Sequence, residues 1–146
     1  MKIPEELFIG GGWKPSADGA RITVIDPATA EPVTTVANGT VEDGLAAVDA
    51  AATALPEWSA TAPRARADIL LRAFTLMHER AEELAELIVR ENGKALPDAR
   101  GEVTYAAEFF RWYAEETVRV AGTVQTAPGG ANRILVLRQP IGVSVL

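Results

Sequence analysis

Few residues in this chain have the type and spacing to do chemistry. Tyr105, Phe109 and Trp112 recur at i, i+4 and i+7 within residues 97–121. On a helix they form one stripe, with Glu108, Arg111, Glu115 and Arg119 between it and a second apolar face. Such a stripe is ordinary core, or it lines a passage for a small molecule, or it meets a partner; the residues alone leave these readings open. His78 is the single histidine, set among charges in a helical pattern, and reads as a solvated surface residue. There is no cysteine. That removes thiolate nucleophiles, disulfides, iron–sulfur ligation and cysteine-based zinc sites from this stretch. Carboxylates, Lys, Arg, Tyr, Ser and Thr remain, without a constellation that suggests a reaction. Gly10-Gly11-Gly12-Trp13 lacks the G-x-G-x-x-G spacing and precedes no helix, so it is no phosphate loop.

The elements that position the stripe come next. The helix over 97–121 opens on Pro97, whose missing N–H costs nothing in a first turn. Asp98 suits the positive end of its dipole, and Gly122 is a natural stop. Its other face carries Val103, Ala106, Ala107, Phe110, Ala114, Thr117 and Val118. Upstream, residues 7–13 predict a tight hairpin, with the glycines supplying positive φ. Residues 22–25 and 34–36 read as strands around a turn fixed by Asp26 and Pro27. Thr40 and Asp43 resemble a capping box for a helix with Leu45, Val48, Ala52 and Leu55 on its apolar face, ended by Pro56. Trp58 is expected to plug the gap between helices. Pro63 opens a second helix, with Ile69, Leu70, Ala73, Met77, Leu84, Leu87 and Ile88 as its buried stripe. It has no internal breaker, although a bend near Arg80 is compatible with it; Asn92-Gly93 ends it. Residues 123–126 and 133–138 predict strands around a Pro128-Gly129-Gly130 turn. Residues 143–146 begin a further apolar strand of the kind buried in a parallel sheet. Such a strand needs neighbours on both sides, which implies that the 146 residues are part of something larger.

Composition bounds the rest. At 48% hydrophobic residues the chain is globular in character. Its formal charge of −6 argues against nucleic acid or an anionic membrane as partner. No apolar run reaches the length of a membrane span, and the N-terminal residues lack a signal-peptide core, so a cytoplasmic location is expected.

Five segments in order, FIGGGW, VIDPATAEPV, ENGKAL, RGEVTYAAEFFRWYAEE and RQPIGVSVL, resemble the N-terminal part of the aldehyde dehydrogenase superfamily, nearest its succinate-semialdehyde dehydrogenase group. The resemblance runs from Leu7 to Leu146. Two departures stand out: Ala30 occupies a turn position where the family commonly has glycine, at a cost of about 1 kcal/mol if φ is positive there, and Leu96-Pro97-Asp98 replaces a more helix-friendly run, which implies a later helix start than in relatives. The implied fold is α/β: short β-hairpins, three long helices, a bridging hairpin, and the first strand of an incomplete Rossmann-like sheet. By the resemblance, residues 1–122 are hairpins and helices of the cofactor-binding domain. Residues 123–139 are a bridging hairpin for oligomerisation, and residues 140–146 are the truncated first strand of the dinucleotide-binding sheet. The implied activity is oxidation of a small aldehyde, with succinate semialdehyde as the nearest candidate, using NAD or NADP in a complete homo-oligomeric enzyme. Family catalysis uses a cysteine nucleophile, an activating glutamate and an oxyanion-stabilising asparagine, all falling after Leu146. No catalytic, cofactor-binding or metal-binding residue is therefore expected in this segment, and no cofactor is expected on it alone. Tyr105, and less directly Phe109, correspond to the position that borders the aldehyde tunnel. The competing reading is a non-catalytic truncated module with an interaction or oligomerisation role.

Overall fold

The computed structural model describes residues 3–145. Ten elements follow one another: β1 (Leu7–Ile9), β2 (Gly12–Lys14), β3 (Arg21–Ile25), β4 (Pro32–Ala37), α1 (Val41–Ala60), α2 (Pro63–Glu79), α3 (Ala81–Asn92), α4 (Leu96–Thr117), β5 (Thr123–Thr126) and β6 (Arg133–Val136). The strands form three separate antiparallel pairs, β1–β2, β3–β4 and β5–β6. α4 packs against both α2 and α3.

The local signals act as their chemistry requires. Gly10 and Gly11 take φ of 63° and 83° to close the β1–β2 hairpin. The Asp26 carboxylate accepts the Ala28 N–H at 2.8 Å, fixing the β3–β4 turn. Ala30, four residues into that turn, sits at φ 63°, a left-handed conformation that burdens a Cβ-bearing residue. Thr40 and Asp43 form a full capping box on α1. The Asp43 carboxylate also accepts the Ala17 N–H at 3.0 Å, tying α1 to the loop after β2. These backbone donors, Ala17 first and then Thr40, hold the Asp43 carboxyl below its ordinary pKa. Gly93 ends α3 at φ 75°, where an added Cβ would come within 2.9 Å of the Pro27 ring.

The core is thin and built largely of alanine. Ala67, Ala85, Ala99, Ala107 and Ala114 are buried, with Val103, and among the described residues no large side chain is fully enclosed. Ala85 on α3 meets Ala99 and Val103 on α4, flanked by Leu84, Ile88, Val89 and Leu96. Small side chains let the helix axes approach closely but remove little apolar area from water. At the edge of this seam, Arg100 of α4 grips Glu82 of α3, and Lys94 pairs with Glu102.

Several expectations need correction. The helical region between Pro63 and Asn92 is two helices, so the described residues hold four helices where three were expected. Arg80 separates them at φ −110°, ψ 19°, a bridge conformation that requires neither glycine nor proline, so neither marks it. α1 continues past Pro56 to Ala60. Pro56 removes one N–H donor and crowds the preceding turn, yet the helix continues, and its last turn is closed by Thr61, whose N–H donates to the Trp58 carbonyl and whose hydroxyl donates to that of Glu57. The apolar face of α1 is largely uncovered: Leu45, Val48 and Trp58 are exposed, because only β1 packs against this helix to any extent. Ile69 on α2 is exposed as well. α4 ends at Thr117, four residues before the expected limit, and residues 118–121 turn away before reaching Gly122. On its inner face, Phe110 and Val118 stay exposed while Val103, Ala107 and Ala114 are buried. β6 ends at Val136. Residues 143–145 form no strand, having no neighbour to bond with; Leu146 lies outside the described residues.

Candidate functional site: an aromatic groove on α4

α4 turns its alanines toward α2 and α3 and its bulky aromatics away from them. Tyr105, Phe109 and Trp112 are respectively 66%, 46% and 62% exposed. The ordinary-core reading of the stripe therefore fails within the described residues. Tyr105 and Phe109 lie one helical turn apart and meet edge-on, with ring centroids 5.0 Å apart and planes at 88°. This is a favourable aromatic geometry, and it preorganises the pair.

A shallow groove of about 310 Å³ opens over this surface, lined by Tyr105, Glu108, Phe109, Trp112 and Tyr113. The structure thus brings both sequence-predicted site residues, Tyr105 and Phe109, onto one wall. It adds Glu108 and Tyr113, which the sequence reading did not place there. The signal was available: Tyr113 is four residues from Phe109, and Glu108 three from Tyr105, both helical neighbours. Glu108 is held by Arg111 at 2.5 Å, and the Arg111 guanidinium lies 5.7 Å from the centre of the Phe74 ring on α2. The ring of His78 meets Phe74 edge-on, with centroids 4.5 Å apart, and His78 is exposed as expected.

The groove offers apolar ring faces, two phenolic hydroxyls and one paired carboxylate. It can hold and orient an apolar or amphipathic small molecule, but it presents no nucleophile with an adjacent base. A larger open hollow of about 690 Å³ lies elsewhere, among Ile3, Pro4, Glu5, Glu6, Trp13, Val33 and Thr34. Its carboxylates are committed to the fold: Arg21 donates to both Glu5 and Glu6, and the Thr34 hydroxyl donates to Glu5 at 2.7 Å. Among the described residues there is no cluster of three or more metal-ligating side chains, and no helix is long and apolar enough to cross a membrane.

The glycine-rich turns do not suit a nucleotide. Residues 10–11 join β1 to β2, and residues 128–130 lie in the turn between β5 and β6. Neither leads a strand into a helix N-terminus, where a pyrophosphate binds.

The sequence profile of the aldehyde dehydrogenase family matches residues 13–146. The succinate-semialdehyde dehydrogenase of Paenarthrobacter nicotinovorans is 52% identical over 112 residues, covering 77% of this chain and 25% of that protein. The NADP(+) succinate-semialdehyde dehydrogenase of Escherichia coli strain K12 is 40% identical over 142 residues, 96% of this chain and 29% of that protein. The crystal structure of succinate-semialdehyde dehydrogenase from Burkholderia pseudomallei superimposes with a TM-score of 0.91 at 38% identity, covering 97% of this chain and 30% of that one. The chain thus spans between a quarter and a third of the length of these relatives, matches the N-terminal part of their fold, and belongs to the aldehyde dehydrogenase family.

Proposed function

We propose that these residues are the N-terminal portion of an NAD(P)-dependent aldehyde dehydrogenase that oxidises succinate semialdehyde or a close homologue to the acid. One observation carries the reading: nearly the whole chain aligns with succinate-semialdehyde dehydrogenases at about 40% identity. In this reading the Tyr105–Phe109 wall borders the path of the aldehyde, and the exposed rings of the groove are its local support. Residues 1–122 belong to the cofactor-binding domain. Residues 123–139 form the oligomerisation arm, consistent with a β5–β6 ribbon whose strands are exposed throughout. The thiol nucleophile and the NAD(P) contacts come from sequence beyond these residues, because the chain has no cysteine and its glycine turns link strand to strand. The cofactor supplies hydride acceptance; this segment's share is to shape the approach to the reacting carbon.

The test is turnover. The 146-residue chain alone is expected to give no NADH or NADPH signal with succinate semialdehyde, and the complete enzyme carrying it is expected to give one. A complete enzyme inert toward every aldehyde offered would end the proposal.

A second reading has its own observation. The exposed ribbon and the uncovered face of α1 fit a non-catalytic module that binds other subunits. Light scattering on mixtures with a full-length homologue tests it; failure to co-migrate counts against that role.

A further inference from the structure

Among the described residues, Glu108 is the one charged side chain lining the aromatic groove, and it does not stand alone there. Arg111, one turn along α4, pairs with it at 2.5 Å. The same guanidinium is steadied over the Phe74 ring of α2, at 5.7 Å. Phe74 is partly buried, so the tether runs from the helix bundle through Arg111 to the groove carboxylate. Arginine keeps its charge at any working pH. The groove therefore presents a neutral ion pair where its lining residues alone would present a negative charge.

We propose that Arg111 is a specificity-determining residue: by neutralising Glu108, it lets the groove admit aldehydes that carry a carboxylate as readily as neutral ones. The inference rests on the functional reading given above, and it concerns a step that reading leaves open, namely how an anionic substrate passes a carboxylate. A bare Glu108 about 8 Å from a ligand carboxylate, at an effective dielectric near 40, would weaken binding about five-fold. The same bare charge leaves an uncharged aldehyde of equal length almost untouched.

The experiment uses the complete enzyme carrying this segment and compares KM for succinate semialdehyde with KM for butanal. Arg111→Gln is expected to raise the ratio of the two about five-fold. Glu108→Gln, which leaves the arginine charge unopposed, is expected to lower it by a similar factor. The double variant and Arg111→Lys are expected to return the ratio close to that of the parent. Raising the salt to 0.5 M should shrink each difference. A structural disturbance would move both aldehydes together and could not reverse sign between the two single variants. An unchanged ratio in Arg111→Gln, or a shift of the same direction in both single variants, overturns the inference and leaves the functional reading intact. A parent enzyme that oxidises neither aldehyde overturns both.

Discussion

Arg100 of α4 and Glu82 of α3 meet side by side. The arginine Nε lies 3.0 and 3.1 Å from the two carboxylate oxygens, and Nη2 lies 2.7 Å from the second. The forked contact lies at the exposed edge of the alanine seam and joins the two helices there. It holds the Glu82 carboxyl below its ordinary pKa of 4.5, chiefly through the hydrogen bond from Arg100, and raises the guanidinium pKa in return. A folded-state pKa below the unfolded value means a contribution that is present above pH 4.5 and fades as pH falls through the lowered value. An NMR titration of the Glu82 carboxyl should give a midpoint below 4.5, and Arg100→Gln should return it to the ordinary range. An ordinary midpoint in the parent would show that the fork does not persist in water.

Asp43 follows the same logic with different donors. The Ala17 and Thr40 amides and the Thr40 hydroxyl all point at its carboxylate, which is shielded from solvent. Its contribution is present above pH 3.8 and is lost as pH falls through the lowered pKa. Asp43→Ala should unfasten the first turn of α1 and the loop holding Ala17 together. Hydrogen exchange at the Ala17 and Thr40 amides should quicken about ten-fold, with little change in α4. Faster exchange in α1 alone would mean that the Ala17 contact does no anchoring.

Ala30 carries a penalty that glycine would relieve. At φ 63° its Cβ crowds the backbone, and Ala30→Gly should stabilise the folded chain by about 1 kcal/mol despite the greater freedom of glycine when unfolded. Urea unfolding would register this as a higher midpoint at unchanged slope. An unmoved or lowered midpoint would contradict it.

The β5–β6 ribbon and the stretch after it leave much apolar surface in water, including Val124, Leu135, Leu137, Ile141 and Val145. Two strands without a third are marginal in isolation. The 146-residue chain on its own is expected to self-associate at micromolar concentration, and Leu135→Lys with Leu137→Lys should reduce this. Light scattering that finds a monodisperse, cooperatively unfolding monomer in the unsubstituted chain would refute the expectation.

The base of the same ribbon leaves no room for a side chain at Gly122. A Cβ there would collide with the Val136 carbonyl oxygen. Gly122→Ala should therefore separate the first rung, between Thr123 and Val136, and protection of its amides from exchange should be lost while the helices keep theirs.

What could be read from the residues divides by range. Thr40, Gly93, Asp26 and the Gly10–Gly11 pair act on their own turn of backbone, so their types disclose their conformations. Arg80 discloses nothing, because the negative φ it adopts needs no special residue type. Pro56 misleads, because a proline disfavours a helix interior without forbidding it, and here the helix runs on to a last turn closed by Thr61. For the groove, Tyr105 and Phe109 were legible from helical spacing together with the family resemblance. That they face outward was not, since Leu45 and Val103 are equally apolar and only one of them found a partner. Glu108 and Tyr113 needed three-dimensional neighbours to be noticed at all.

The alanine seam has a consequence for how this segment can drift. Ala85, Ala99 and Ala107 have essentially no free surface, so a methyl group is the largest ornament each site accepts. Lineages carrying this piece are free to redecorate its rim and its groove, and with them whatever is recognised there. Enlarging any of the three would wedge the bundle open, and the carrier would forfeit the scaffold on which every such experiment depends.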